Sequence, residues 1–426
     1  MINNEYKNTE LGLLPDDWKI TCLGDINTEK NQNVSPLKDE IYEYYSIPAY
    51  QENNKPEIVK GSTILSQKKI LKENMILFGK LNPRVEKVWK VGNYSNYKKI
   101  GSGEWITIFP NPYEVSAEYL FYLELSKFVM PIAKTLVTGS TPSRQRVDPT
   151  SFYKLKVPLP PLKEQQKIAY VLSTVQQAQE KTDRVINSLK ELKKSMMKHL
   201  FTYGITNSDN TNEVRLQKSE FGDILSGWKI ENLESLGKFQ YGYTETANKA
   251  EVGPKFLRIT DIDLETNQVK WESVPYCTIS NGDFDKFKLN DGDILVARIG
   301  ATTGKTYLAR NPPKAVFASY LIRFTPSKNI NPDFVYHYTL SDLYKNQVNR
   351  NKGGKLKGGL SASVLNKFKI PTPSVIEQKQ ISTILNTMED KIKVEEQKRE
   401  ALEQLFKSLL SNLMSAKIRV NDLKVS

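Results

Sequence analysis

Histidine and cysteine are almost missing from this chain, with two of each among 426 residues. His199 and His337 are too few for a histidine-centred catalytic or metal site, and both are expected to pack or to lie at the surface. Cys22 and Cys277 fall in different halves with no metal-ligand spacing around them. They read as incidental reduced thiols, which excludes a disulfide framework and a zinc site. No stretch reaches the ~20 apolar residues of a membrane span. Met1-Ile-Asn-Asn-Glu lacks signal-peptide character, and no basic amphipathic anchor is present. The expectation is a soluble, cytoplasmic protein without a membrane partner. Acidic residues are also in deficit: 48 Asp and Glu stand against 61 Lys and Arg, a net charge of +13, and 21 Tyr are interleaved with the basic residues. That balance favours a polyanion, and nucleic acid first among polyanions.

Proline and glycine are absent from Leu162 to Tyr203, and Gly204 follows where a helix terminator belongs. Within this stretch Ile168, Leu172, Val175, Gln179, Thr182, Ile186, Leu189, Lys193, Met196 and Leu200 recur in alternating steps of four and three. This is the heptad seam of a helix that packs along a partner helix. A helix of ~40 residues is ~60 Å long, too long for the inside of one domain, so it is expected to act as a spacer. The stretch then occurs again. Lys156, Pro158, Pro160, Glu164, Gln165, Ile168, Leu172 and Thr174 match Lys369, Pro371, Pro373, Glu377, Gln378, Ile381, Leu385 and Thr387 at a constant offset of 213. The second seam runs Ile381, Leu385, Met388, Ile392, Glu395, Arg399, Leu402, Phe406, Leu409, Leu413. Repeats of this kind set architecture before any other signal.

A second repeat marks where each half begins. Leu11-Gly12, Trp18-Lys19-Ile20 and Leu23 correspond to Phe221-Gly222, Trp228-Lys229-Ile230 and Leu233, each a lead-in whose Trp pins the chain to a core before a short helix. Residues 1–10 read as a loosely ordered arm. In the first half Asn74–Phe78 and Trp105–Phe109 read as strands and Ala117–Phe128 as a helix. In the second, Asp293–Ala297 and Val316–Phe324 read as strands and Phe334–Val348 as the equivalent helix. A polar linker, Thr206–Thr211, follows the first long helix. The expected boundaries are a first domain over 1–157, a first spacer helix over 158–205, a linker and second domain over 206–370, and a second spacer helix with a tail over 371–426. If the first helix carries the chain to the second domain, the second helix returns antiparallel. Ile168 is then near Leu413, Thr182 near Arg399, Ile186 near Glu395, Leu189 near Ile392 and Leu200 near Ile381. The fold class is α+β: two mixed, strand-rich domains separated by two long antiparallel coiled-coil helices, with pseudo-two-fold symmetry.

Catalytic motifs fail on inspection. Gly300-Ala-Thr-Thr-Gly304-Lys305-Thr306 has three residues between its glycines where a phosphate-binding loop has four. Asn311-Pro312-Pro313-Lys314 carries Lys where an amino-methyltransferase has a base-stacking aromatic, and no glycine-rich cofactor loop precedes it. The acidic pairs Asp261/Asp263 and Asp283/Asp285 have no accompanying catalytic set.

The ordered combination of Gly12/Pro15/Trp18, Gly222/Trp228, Gly79-Lys80-Leu-Asn82-Pro83-Arg84, Asp291-Gly-Asp293 through Gly304-Lys305, and the paired Pro158/Pro160/Glu164/Gln165 and Pro371/Pro373/Glu377/Gln378 resembles the specificity subunit of a type I restriction–modification system. The resemblance covers essentially the whole chain, with Leu225 standing where the first half has Pro15. It implies two target recognition domains, each reading one half of a bipartite, asymmetric double-stranded DNA site, with the helix pair as a ruler. It implies as partners two methyltransferase subunits bound around the helices and motor-nuclease restriction subunits. Catalysis would belong to those partners, so this chain is expected to be a non-enzyme with no cofactor of its own. S-adenosylmethionine, ATP and Mg would act only in the partners. Expected DNA-facing residues come from basic, Gly/Ser/Thr-containing loops: Lys80, Asn82, Arg84 and Lys87, then Ser140, Thr141, Ser143, Arg144, Gln145 and Arg146 in the first domain. In the second they are Arg298, Thr302, Thr303 and Lys305, then Lys352, Lys355 and Lys357. The competing classes are a coiled-coil scaffold whose domains bind proteins, and a nuclease or methyltransferase acting alone.

Overall fold

The computed structural model describes residues 6–29, 32–220, 222–263, 266, 268–351 and 359–420. The chain divides into two compact units, one formed by residues 1–183 with 397–426 and the other by residues 184–396. Two helices dominate the secondary structure, Leu162–Tyr203 and Val375–Met414, of 42 and 40 residues, and each unit owns half of each helix. The first ends at Tyr203, before Gly204, the first glycine after its run, with φ +63°. Among the described residues no helix is long and apolar enough to cross a membrane.

The first unit is built on the strand Ile76–Gly79, all four residues of which are buried. It is flanked antiparallel by Trp105–Ile108 and Val88–Lys90. Such a continuous apolar run is what a strand covered on both faces requires. Ile76 and Phe78 enter the core that holds Leu120, Leu123, Ile168 and Leu172, whereas Leu77 enters another core with Tyr45, Trp89 and Trp105. A five-stranded sheet adjoins it, in which Ile41–Tyr45 and Lys98–Gly101 run parallel. The second unit repeats the plan. Ile294–Ala297, again fully buried, lies between Leu321–Pro326 and Thr306–Leu308. Ile294 and Val296 face one core, Leu295 and Ala297 the other. Here too one parallel pair adjoins, Lys255–Leu257 with Ala315–Phe317.

Each domain is fastened to a long helix by the repeated Glu-Gln. Gln165 accepts the backbone N–H of Ser116 at 2.9 Å and donates to the Pro160 carbonyl at 2.8 Å; Gln378 accepts that of Asn331 at 2.9 Å and donates to Pro373 at 2.9 Å. Ser116 and Asn331 are the N-caps of the helices Ala117–Leu125 and Pro332–Leu340. The preceding glutamates take the tryptophan indoles, Trp18 to Glu164 at 2.9 Å and Trp228 to Glu377 at 3.2 Å. The prolines themselves sit in edge pairings, Lys156–Leu159 with Lys19–Cys22 and Lys369–Thr372 with Lys229–Asn232, where a missing N–H is tolerated.

Within the second unit the long helices run antiparallel: Lys193 meets Glu389 at 2.6 Å and Lys190 meets Glu396 at 2.8 Å. Along the first seam Ile168, Leu172, Thr182, Ile186 and Leu200 are buried and Val175, Gln179, Leu189, Lys193 and Met196 half-buried. Along the second, Ile381, Leu385, Met388, Ile392 and Leu413 are buried, Glu395, Leu402, Phe406 and Leu409 half-buried, and Arg399 exposed. Ile168 shares a core with Leu413, and Leu200 with Ile381.

Local readings differ from the structure in three places. The Tyr6–Thr9 part of the expected arm is a strand, paired with Gly12–Pro15 through a turn at Gly12, φ +100°, and its Tyr6 hydroxyl donates to the Ala416 carbonyl. Val316–Phe324 is two strands, because the chain changes sheets at Ala318–Tyr320. Phe334–Val348 is two helices, Pro332–Leu340 and Asp342–Asn351, since the Ser341 hydroxyl turns back onto the Tyr338 carbonyl and receives the Tyr344 N–H. Ser126 ends Ala117–Leu125 in the same way. His337 is buried against Asn386, and burial pushes its pKa below the ordinary value. His199 bonds the Thr206 carbonyl.

One buried group works against the first unit. Glu124 is fully buried, its carboxyl oxygens have no hydrogen-bond partner among the described residues, and desolvation holds its pKa well above the ordinary range. The folded state keeps a proton that the unfolded chain releases above ~4.3, so this contribution turns unfavourable as pH rises. Glu124→Met is expected to stabilise the first unit by about 1–3 kcal/mol at pH 8, with the gain shrinking toward pH 4. Hydrogen exchange of core amides in that unit reads the effect; equal protection in both proteins at pH 8 would contradict it.

Candidate nucleic-acid interface

In both units the chain leaves the end of the central strand into a loop pinned on two sides. Lys80 donates its N–H to the Glu104 carbonyl at 2.9 Å and accepts from Val147 at 2.9 Å; Arg298 donates to Tyr320 at 3.1 Å and accepts from Leu360 at 2.7 Å. Lys80 and Arg298 are thus structural equivalents. Two residues on, the loops turn through left-handed backbone, at Asn82 (φ 48°) and Gly300 (φ +78°), conformations that Asn and Gly tolerate best.

In the first unit this geometry joins the two loops expected to act together. Asn82 N–H donates to the Gln145 carbonyl at 2.8 Å, and Leu81 bridges to Arg146. Ser140, Thr141, Ser143, Arg144, Arg146 and Arg84 are exposed, and Lys80, Asn82 and Gln145 half-buried. Arg146 is engaged already, in a forked pair with Glu104 at 3.1–3.2 Å. Lys69 adjoins this basic surface; burial, and then the neighbouring Lys80, lower its pKa to about 8. Lys87 does not face outward. It is 3% exposed, and its ammonium donates to the Asn82 and Val85 carbonyls at 3.1 and 2.6 Å, which makes it the brace of the loop.

In the second unit Lys305 is exposed, Arg298 and Thr302 are half-buried, and Thr303 is buried with its hydroxyl on the Gly300 carbonyl at 2.7 Å. Thr303 therefore shapes the turn. Lys352, Lys355 and Lys357 lie outside the described residues. The Gly300–Lys305 loop leads into the strand Thr306–Leu308, with no helix N-terminus behind it to receive a phosphate. Glu104, Lys69, Tyr241 and Tyr320 belong to these surfaces and were not legible in the sequence: Tyr320 lies inside an apparent strand, and Glu104 in a Gly/Ser turn like many others.

The remaining polar features have structural explanations. Asp293 is buried and receives Thr325, Arg323 and the Asn290 N–H. Asp261 pairs with Arg258 at 2.7 Å, and Asp283 lies in the Ser280 helix cap. Among the described residues no group of three or more His, Cys, Asp or Glu could hold a metal ion. Cys22 and Cys277 are unbonded, and burial pushes the Cys277 thiol up to about 11.

Two domains of one plan, each ending its central strand in a pinned basic loop and each fixed to a long helix, define a class as well as a geometry. Residues 15–191 and 226–404 match the type I restriction modification DNA specificity domain. The chain belongs to that family and carries its domain twice. It is 27% identical to the type I restriction enzyme MjaVIII specificity subunit of Methanocaldococcus jannaschii over 96% of this chain and 95% of that protein. Its fold matches the type I restriction–modification S subunit of M. genitalium with a TM-score of 0.59 at 14% identity, covering 97% of each chain. A chain from a study of complex assembly and conformational transition of a type I system matches with a TM-score of 0.58 at 16% identity, over 95% of this chain and 99% of that one.

The brace at Lys87 gives a structural test. Lys87→Met removes both carbonyl bonds while retaining most of the apolar stem, and is expected to speed amide exchange across residues 80–87 by roughly tenfold. Unchanged exchange there, with the second unit as internal reference, would dismiss the brace.

Proposed function

We propose that this chain is the non-catalytic DNA-reading subunit of a type I restriction–modification complex. Recognition domains span 1–157 and 206–370, and helical spacers span 158–205 and 371–426. The observation that carries the reading is the repeated loop. One scaffold position, at the end of an equivalent central strand, holds Lys80 in one unit and Arg298 in the other. Equivalent geometry with different side chains is what reading two different half-sites of one duplex requires. The helices fix the separation of those half-sites, as domain spacing does for dimeric DNA binders. Methyltransferase subunits dock around the helices, and motor-nuclease subunits join for restriction. S-adenosylmethionine, ATP and Mg act in those partners, and the complex works on DNA in the cytoplasm.

Binding of the full chain, with its methyltransferase subunits, to duplex DNA over a salt series tests the reading: specific affinity is expected to fall steeply with salt. Arg144→Ala with Arg146→Ala is expected to weaken specific binding by roughly tenfold or more at matched salt; an unchanged affinity removes that loop from the interface. Four residues inserted into Leu162–Tyr203 are expected to alter the permitted spacer between half-sites. Sequencing of modified adenines reports this, and retention of the original spacer counts against the ruler.

A further inference from the structure

We propose that Arg298 reads a guanine in the half-site bound by the second unit, and that Tyr241 holds its guanidinium in the plane that reading needs. The inference rests on the DNA-reading function above and deepens it. Arg298 is the first loop residue after Ile294–Ala297, and its backbone is tied on both sides, to Tyr320 and to Leu360. Its guanidinium carbon lies 4.8 Å from the centre of the Tyr241 ring. That ring cannot swing freely: it ends the strand Gly237–Tyr241, and its hydroxyl accepts the Ala362 N–H at 3.0 Å. Nη1 donates to the Ser319 carbonyl at 3.5 Å, while Nε is buried with no acceptor among the described residues.

The neighbouring arginines of the unit are committed differently. Arg258, Arg310 and Arg323 each lie against an aspartate. Arg298 bonds no carboxylate among the described residues, so its full charge and the end of the fork, the second N–H of Nη1 with those of Nη2, are left for a ligand. Tyr241 and Tyr320, 39% and 57% exposed, border it toward solvent.

A stacked guanidinium with its backbone fixed presents one orientation of a planar fork. Phosphate contacts gain little from such restriction, since Lys305 on the same loop can supply a charge from a flexible stem. A fork in one plane matches the O6 and N7 acceptors on the major-groove edge of guanine, and a lysine ammonium cannot reproduce it. The equivalent residue of the first unit is Lys80, so the corresponding position of the other half-site is expected to be less exacting.

The test is selection of bound duplexes from a randomised pool by the full chain with its methyltransferase subunits, comparing wild type with R298K, R298A, Y241F and Y241A. Wild type is expected to select a bipartite sequence with a required guanine in one half. R298A and R298K should each lose that preference by roughly tenfold or more, with the other half-site unchanged as the control for folding. Y241A should loosen the same position most, and Y241F, which keeps the ring but loses its bond to the Ala362 N–H, should loosen it less. A guanine preference that survives in R298K, or a wild-type consensus that R298A leaves intact, overturns the inference alone. A wild-type chain that selects no sequence overturns the DNA-reading function and this inference together.

Discussion

The carboxamide at the start of each long helix is the constraint from which the rest follows. A domain helix and a spacer helix that meet end-on leave backbone groups buried, and a buried N–H without an acceptor costs more than a hydrogen bond returns. Gln165 and Gln378 solve this with one side chain each, accepting the N-cap residue's N–H and donating to a proline carbonyl. A glutamate carboxylate could not donate and an apolar residue could do neither, so the carboxamide makes both bonds with one side chain. Because the bonds are directional, they fix an angle as well as a contact. The domain is thereby held to the helix as a bracket, and the position of its loops follows from the position of the helix.

The glutamate beside each glutamine meets the same indole but is closed off in two ways. In the first unit Arg419, after the second long helix, forks onto Glu164 at 2.6 and 2.8 Å, bonds Asp17, and lies 5.9 Å over Trp18. In the second, the chain after the first long helix turns at Gly204, and Glu377 receives the Ile205 N–H with no arginine; desolvation accordingly pushes its pKa upward. The two closures use the same path, since both helices end in left-handed backbone, Gly204 at φ +63° and Ala416 at φ 54°. Glycine suits the first because the backbone is left-handed there and a Cβ would have to displace the Glu377 carboxylate. Alanine at the second accepts a strained conformation; it is itself buried, and its carbonyl accepts the Tyr6 hydroxyl. Each unit is thus completed by chain that arrives from the far end of a long helix.

What the sequence made legible follows from which interactions are local. The helices could be read because heptad spacing, absence of Pro and Gly, and a terminal glycine all act within the helix itself. The central strands could be read because burial on both faces leaves an unbroken apolar run. Breaks were missed where one hydroxyl decides: nothing in the pattern of Phe334–Val348 announces that Ser341 will bond the Tyr338 carbonyl. Tyr6–Thr9 was missed because its partner strand is reached through one turn glycine. In the loops, composition identified the basic surface but not the state of each cation. Lys87 and Arg84 look alike in sequence, yet one is a buried brace and the other is exposed. That difference depends on the carbonyls of a turn that exists only once the strand is in place.

Mounting a basic loop on a strand buried on both faces has a mechanical consequence. The strand cannot shift register without moving its residues between two cores, so the residue just past its end is placed as firmly as the core itself. Backbone bonds at Lys80 and Arg298 extend that placement by one residue on each side, and the left-handed turn two residues later releases the chain to solvent. Side chains beyond the turn that make none of these bonds can then vary without disturbing what holds them, whereas the Lys87 ammonium and the Thr303 hydroxyl belong to the fixed part. Such an arrangement separates the part of the sequence that must stay constant for folding from the part free to change the base sequence that is read. The same separation accounts for two units that share the central strand, its backbone ties and the helix-start carboxamide and differ in what they present.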